Sequence, residues 1–148
     1  MKFSNPNVSI LTTVHNRADY LNNCIDSIQN STFENWELVI VDDCSMDNSV
    51  SIAKQYALSD QRIRVFTNDE NLGDYPNRNK AASLARGKYL KYLDADDMIY
   101  PYGLEIMVDT MEKFPGAAMG ISQEVADDLL PYPFQLSPTE TYIRQFIK

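Results

Sequence analysis

Hydrophobic positions along the chain alternate between short unbroken runs and spaced, helical patterns. Val8-Ser9-Ile10-Leu11-Thr12-Thr13-Val14 is β-branched and largely apolar, as expected of a strand covered on both faces of a parallel sheet. After the turn His15-Asn16-Arg17, the segment from Ala18 to Asn30 carries Leu21, Cys24, Ile25 and Ile28 at helical spacing, which predicts an amphipathic helix. The plan then repeats. Trp36 to Val41 reads as a second buried strand. Asp47 to Leu58 reads as a second helix, with Val50, Ile52, Ala53, Tyr56 and Ala57 on its apolar side and Ser45 as its N-cap. Ile63 to Thr67 predicts a third strand, and a polar loop from Asn68 to Tyr75 leads to a helix that starts at Pro76 and is stopped near Ala85 by Gly87. Lys88 to Leu93 predicts a buried fourth strand, followed by a helix from Pro101 to Phe114 and a fifth strand from Ala117 to Ser122.

Strands alternating with helices imply a three-layer α/β/α fold with a mostly parallel sheet and right-handed crossovers. Residues 1–122 form the expected α/β domain. Residues 123–148 form an irregular connector, broken by Pro131 and Pro133, and a terminal helix opened by the capping box Ser137-Pro138-Thr139-Glu140. The apolar face of that helix, Tyr142, Ile143, Phe146 and Ile147, predicts packing on its own domain or a homo-oligomer contact. At 148 residues, with 44% hydrophobic positions, the chain has the size of one folded domain. Its net charge of −8 excludes a nucleic-acid partner held by clustered basic residues. Cys24 and Cys44 have neither a disulfide-rich nor a zinc-site spacing, and no long apolar span is present. The expected location is the cytosol or the cytosolic face of a membrane.

Acidic residues gather where the strands end. Asp42 and Asp43 follow the second strand, and Asp94-Ala95-Asp96-Asp97 follows the fourth, with Asp94 and Asp96 on one side by the strand's period of two. Ligands of open α/β sheets bind beyond the carboxyl ends of strands, so Thr13, His15 and Asn16, Asp42 and Asp43, and Asp94 and Asp96 are expected to face one crevice. Two convergent carboxylates repel each other unless a cation lies between them, which suits Mg²⁺ or Mn²⁺ with substrate phosphates completing the coordination. Asp97 fits an N-cap of the following helix. His15 fits either a pocket wall or a turn, and Arg78 fits either a diphosphate cation or a solvated helix residue. Cys44 lacks a neighbouring base and reads as structural. There is no G-x-G-x-x-G and no G-x-x-x-x-G-K-[ST] to hold phosphates by a glycine-rich loop.

Four ordered elements resemble the N-terminal half of a family 2 glycosyltransferase of the GT-A (Rossmann-like) fold. They are Val8 to Arg17, Trp36 to Asp47, Asn71-Leu72-Gly73 with Arg78-Asn79, and Gly87-Lys88-Tyr89 through Asp97, within roughly residues 6 to 122. The resemblance implies a nucleotide-diphosphate sugar donor, commonly a UDP-sugar, and an inverting transfer to an acceptor hydroxyl. It implies further that Asp43 hydrogen-bonds the base and that Thr13 and His15 line the nucleoside pocket. Asp94 then lies near the ribose, and Asp96 holds the metal.

The family's general base lies well beyond the D-x-D element, and Asp127-Asp128 follow the expected fifth strand too soon to supply it. The chain therefore reads as a truncated, donor-binding half of an enzyme. Two other classes fit in part. A non-catalytic nucleotide-binding or interaction module needs no base, and a sugar-phosphate nucleotidyltransferase would show a glycine-rich loop where Val14 to Arg17 has no glycine.

Overall fold

The β-branched runs form strands and the spaced patterns form helices, in the order β1 (Val8–Val14), α1 (Ala18–Gln29), β2 (Trp36–Asp42), α2 (Ser49–Ser59), β3 (Ile63–Thr67), α3 (Asp74–Leu84), β4 (Tyr89–Tyr92) and α4 (Gly103–Lys113). The structure, a computed structural model, describes residues 5–120 and Ser137. These residues fall in two compact units that divide between Glu105 and Ile106.

In the first unit, the four strands lie in the order β3-β2-β1-β4, and every neighbouring pair is parallel. The chain moves outward from β1 to β3 and then returns to β4 on the far side of β1. This reversal makes the gap between β1 and β4 the switch point at which α/β sheets form their ligand crevices. The two central strands are apolar because both faces are covered. Leu11, Val39 and Val41 pack with Ala81 of α3 on one face, joined by the half-buried Phe66, Ala82, Leu84 and Ala85. By strand alternation, Ile10, Leu38 and Ile40 face the other side, where right-handed crossovers carry α1 and α2. The helical pattern of α1 is reproduced in full, since Leu21, Cys24, Ile25 and Ile28 are its buried residues. On α2 only Ser49 and Ala53 are buried. Val50, Ile52, Tyr56 and Ala57 are half-buried, and Tyr56 reaches α1 by donating its hydroxyl to Asp26 Oδ1 at 2.7 Å.

A buried carboxylate locks the amino ends of the strands. Glu37 of β2 accepts from Ser9 Oγ at 2.6 Å, from Arg64 Nη1 at 2.9 Å and from the Arg86 N–H at 2.7 Å, so β1, β2, β3 and the α3–β4 connection share one polar anchor. Gly87 packs directly against β1 there. A Cβ on it would lie 2.5 Å from the Ser9 backbone nitrogen, a space that only glycine fits.

Four expectations change. β4 is not a buried strand: Leu90 and Tyr92 are exposed, because among the described residues β4 pairs with β1 alone. Ser45 is not the N-cap of α2, which starts at Ser49 after Asn48, because its Oγ instead accepts the Asn16 N–H at 2.9 Å. Asp97 does not cap α4, which begins at Gly103. Its N–H closes a turn onto the Asp94 carbonyl at 2.9 Å. Residues 117–120 form no strand.

In the second unit, α4 ends in successive turns, with the Phe114 N–H donating to the Met111 carbonyl and the Ala117 N–H to the Phe114 carbonyl. Residues 121 and 122, Asp127 and Asp128, the proline-broken connector and the terminal helix lie outside the described residues, apart from Ser137.

Candidate functional site

The carboxyl ends of β1, β2 and β4, with the loop and helix after β3, enclose a cleft of about 430 Å³. It is lined by Thr13 at the end of β1 with His15 and Arg17 after it, by Asp43 after β2, by Asn71, Gly73, Asp74, Asn77 and Arg78 of the loop and α3, and by Asp94 and Asp96 after β4. Of the residues singled out from sequence, the structure brings Thr13, His15, Asp43, Arg78, Asp94 and Asp96 together around this space. Asn16, which is exposed, and Asp42, which is buried, are not among the residues that line it.

Those two residues shape the turns that the cleft rests on. Asn16 adopts a left-handed conformation, φ 53°, which asparagine tolerates better than most residues. Its Oδ1 accepts the Met46 N–H at 2.9 Å while its own N–H donates to Ser45, so the turns after β1 and β2 are stapled to each other. Asp42 is buried and accepts the Ser45 N–H through Oδ2 at 2.9 Å. Asp47 completes the join, accepting the Ser49 N–H at the start of α2 and the Ala18 N–H at the start of α1.

Asp43 is the most constrained acid of the cleft. Its Oδ1 accepts from Asn68 Nδ2 at 2.7 Å and from the Leu72 N–H at 2.8 Å, and its Oδ2 accepts the Gly73 N–H at 2.9 Å. Burial pushes the Asp43 carboxyl up, but these three donors, with some help from His15, outweigh it and hold the group below the usual carboxylate range. A carboxylate has about four acceptor positions. Three are filled, so one remains on Oδ2. Gly73 makes this loop possible with φ 84°, a backbone conformation in the region that glycine enters freely.

His15 lies beside this acid. Its Nδ1 contacts the Asp43 carbonyl oxygen at 2.8 Å, and since a carbonyl can only accept, Nδ1 carries the proton. Nε2 is then left to accept from Asn16 Nδ2 at 3.2 Å.

Asp94 and Asp96, after β4, each face an arginine. Arg78 donates from Nη2 to Asp94 Oδ1 and from Nε to Asp74 Oδ1, both at 2.7 Å, and its guanidinium lies 5.7 Å from the centre of the Tyr92 ring. Hydrogen bonding to Asp74, and then to Asp94, raises the Arg78 pKa against the opposing effect of burial. Arg78 is thus not a solvated helix residue; it lines the cleft and bridges α3 to the segment after β4. Asp96 pairs with Arg17, Nε to Oδ2 at 3.4 Å, and both side chains are nearly half exposed.

Sequence reasoning missed the residues that support Asp43. Asn68 and Asn77 are buried, Asn68 Nδ2 also donates to Asn77 Oδ1 at 3.0 Å, and Asn77 Nδ2 donates to the Val41 carbonyl at 3.1 Å. The available signal was a polar residue at an apolar position: Asn77 lies one helical turn before Ala81 on the buried face of α3. Cys24 lies beneath the acids, its Sγ directed at the Asp94 carbonyl at 3.5 Å, and burial pushes its thiol up to about 12. Such a thiol stays protonated and inert.

The described residues contain no cluster of three or more His, Cys, Asp or Glu side chains able to hold a metal ion. Asp94 and Asp96 supply two carboxylates at most, which fits a hard cation whose remaining ligands are substrate phosphates and water rather than an all-protein cage. No helix among the described residues is long and apolar enough to cross a membrane.

Relatives agree with this architecture. The putative teichuronic acid biosynthesis glycosyltransferase TuaG and the putative glycosyltransferase EpsH, both of Bacillus subtilis strain 168, are each 41% identical, over 92 and 105 residues. These matches cover 62% and 71% of this chain but 36% and 30% of the relatives, so the chain spans about a third of their length. Among solved structures, TarS 1–349 of S. aureus, known also in complex with UDP-GlcNAc, is alike in fold at a TM-score of 0.71 and 22% identity, over 82% of this chain and 40% of that one. The mannosyltransferase PcManGT of Pyrobaculum calidifontis, solved in complex with GDP-Man and Mn²⁺, gives 0.67 and 22%, over 72% and 32%. The sequence matches the family model "Glycosyl transferase family 2" over residues 9–148, and the chain belongs to that family.

Proposed function

We propose that residues 1–122 form the donor-binding part of a metal-dependent, inverting glycosyltransferase that moves a sugar from a nucleotide-diphosphate sugar to an acceptor hydroxyl. The single observation that carries this reading is the state of Asp43. Its carboxyl is held below the usual carboxylate range, three of its four acceptor positions are filled, and the residue lines the cleft. A carboxylate in that state can accept one further hydrogen bond from a base, which the N3–H of uracil would supply. The amino groups of cytosine, adenine and guanine are donors as well, so the assignment of a UDP-sugar as donor rests on the resemblance to the family, in which UDP-sugars are common.

The rest of the cleft supports a diphosphate only with added positive charge. Four aspartates, Asp43, Asp74, Asp94 and Asp96, line it against two arginines, Arg17 and Arg78. An anionic diphosphate would be repelled. Mn²⁺ or Mg²⁺ held by Asp96, with Asp94 beside it, would supply the missing charge and stabilise the leaving nucleotide diphosphate. Arg78 keeps Asp94 in position, and Thr13 and His15 form the floor of the nucleoside site. TarS with UDP-GlcNAc and PcManGT with GDP-Man and Mn²⁺ show related folds with ligands of this class. Asp43, Asp74 and Asp94 are each engaged by donors and Asp96 is assigned to the metal, so none of the four is assigned as the base that takes the acceptor's proton.

Calorimetric titration of UDP, CDP, ADP and GDP, each with and without Mn²⁺, tests this. UDP with Mn²⁺ is expected to bind most tightly. CDP binding as well as UDP would overturn the preference for uracil, and equal affinity without Mn²⁺ would remove the metal.

A further inference from the structure

Two arginines border the acids after β4, and they are held in different ways. Arg78 has two short ion pairs and an aromatic face, and its side chain is about a quarter exposed at 27%. Arg17 reaches the site through one longer contact to Asp96 at 3.4 Å, with side chains 46% and 47% exposed. Its other side-chain contacts are donations from Nη1 to the carbonyls of His15, at 3.4 Å, and Asn16, at 3.2 Å. The Arg17 backbone, in contrast, is anchored. Its N–H donates to Ser49 Oγ at 2.9 Å, and its carbonyl accepts from the Tyr20 and Leu21 N–H groups that open α1. A fixed backbone thus carries a loosely held cation at the edge of the cleft. Exposed ion pairs contribute little to stability, so such a pair changes partner at small cost.

We propose that Arg17 is a displaceable counter-ion: it occupies Asp96 until a divalent cation takes that carboxylate, and then pairs with the donor's diphosphate. The proposal rests on the reading of the cleft as a nucleotide-diphosphate sugar site. A divalent cation at Asp96 repels the guanidinium and weakens the carboxylate's attraction for it. The phosphate oxygens that arrive with the cation are the natural replacement, because the planar fork of arginine matches two of them at once. Arg17 already lines the cleft, so the exchange asks for side-chain rotation and no movement of the backbone.

The test uses the full 148-residue chain and two readouts other than activity, Mn²⁺ titration followed by electron paramagnetic resonance and calorimetric titration of UDP with Mn²⁺ and of uridine. Arg17→Gln is expected to bind Mn²⁺ alone about two- to fivefold more tightly, because its competitor is gone. The same variant should bind UDP with Mn²⁺ about tenfold more weakly, having lost a charged hydrogen-bond donor, and uridine unchanged. Arg17→Lys, which keeps the charge and loses the fork, should retain the competition with Mn²⁺ and recover only part of the UDP affinity. Unchanged or weaker Mn²⁺ binding by Arg17→Gln overturns the counter-ion role, and unchanged UDP binding overturns the diphosphate role. If the unaltered chain binds neither UDP nor uridine, the cleft reading fails, and this proposal with it.

Discussion

Asn68 holds Asp43 from below: its Nδ2 donates to Asp43 Oδ1 at 2.7 Å, and both side chains are buried. Lys80 Nζ donates to the Asn68 Oδ1 at 2.7 Å, which sets the amide's orientation and keeps its nitrogen turned toward the acid. Asn68→Ala is expected to cost about 1–3 kcal/mol in stability, the range for leaving buried polar groups without a partner. It should also weaken nucleotide binding without touching the ligand. Chemical denaturation and calorimetry on the same variant check both, and an unchanged nucleotide affinity would show that Leu72 and Gly73 position Asp43 without help.

Asp43 also links the cleft to pH. Its folded pKa lies below the unfolded value, so its contribution to stability is present in full above about pH 4 and is lost as pH falls through the folded pKa. Asp47 and Asp60 are shifted in the same direction, Asp47 chiefly by its bond with Ser49 and Asp60 chiefly by Arg62. Asp43→Asn should lower stability at neutral pH, because an amide cannot accept from three donors, and should flatten the fall in stability below about pH 4. Urea denaturation at a series of pH values measures both effects.

Among the described residues Asp96 has one ion pair, to Arg17, and its side chain is nearly half exposed. Asp96→Asn should therefore leave stability within about 0.5 kcal/mol of the unaltered chain. It should abolish the Mn²⁺-dependent part of UDP binding. Retention of that part in the variant would move the metal to another residue.

Gly87 separates stability from binding. In Gly87→Ala the new methyl group meets the backbone of β1 at Ser9, the opposite end of that strand from Thr13. Overpacking of this kind costs about 1–3 kcal/mol. Denaturant midpoints should fall accordingly, while UDP affinity measured well below the transition stays unchanged.

The two thiols should differ in reactivity. Cys24 is buried with its pKa pushed up to about 12, and Cys44 is exposed. Alkylation of the native chain at neutral pH should label Cys44 and spare Cys24, as read by mass spectrometry of the digested protein. Labelling of Cys24 at a comparable rate would show that α1 opens.

The order of elements was legible in the sequence because periodicity is a local property. The apolar runs of β1 and β2 and the spacing of Leu21, Cys24, Ile25 and Ile28 report burial on two faces or on one, whatever the rest of the chain does. The clustering of acids at strand ends was legible for a related reason, since parallel strands put all their carboxyl ends on one side. Tertiary structure decided what the pattern of each segment does not contain. The sequence of β4 resembles that of a covered strand, but its exposure follows from its place in the sheet. Ser45 and Asn48 both precede α2, and the cap was settled by Asn16, which comes from another turn and takes the Ser45 hydroxyl. Arg78 and Asp94 are separated by 16 residues, and Asn68 and Asp43 by 25, so no short window holds both members of either pair. Hydrogen bonds of this kind depend on distances of about 3 Å between side chains. The packing of α3 against the sheet brings the first pair within that range, and the pairing of β2 with β3, continued by the Asn68 N–H donating to the Asp42 carbonyl at 2.9 Å, brings the second.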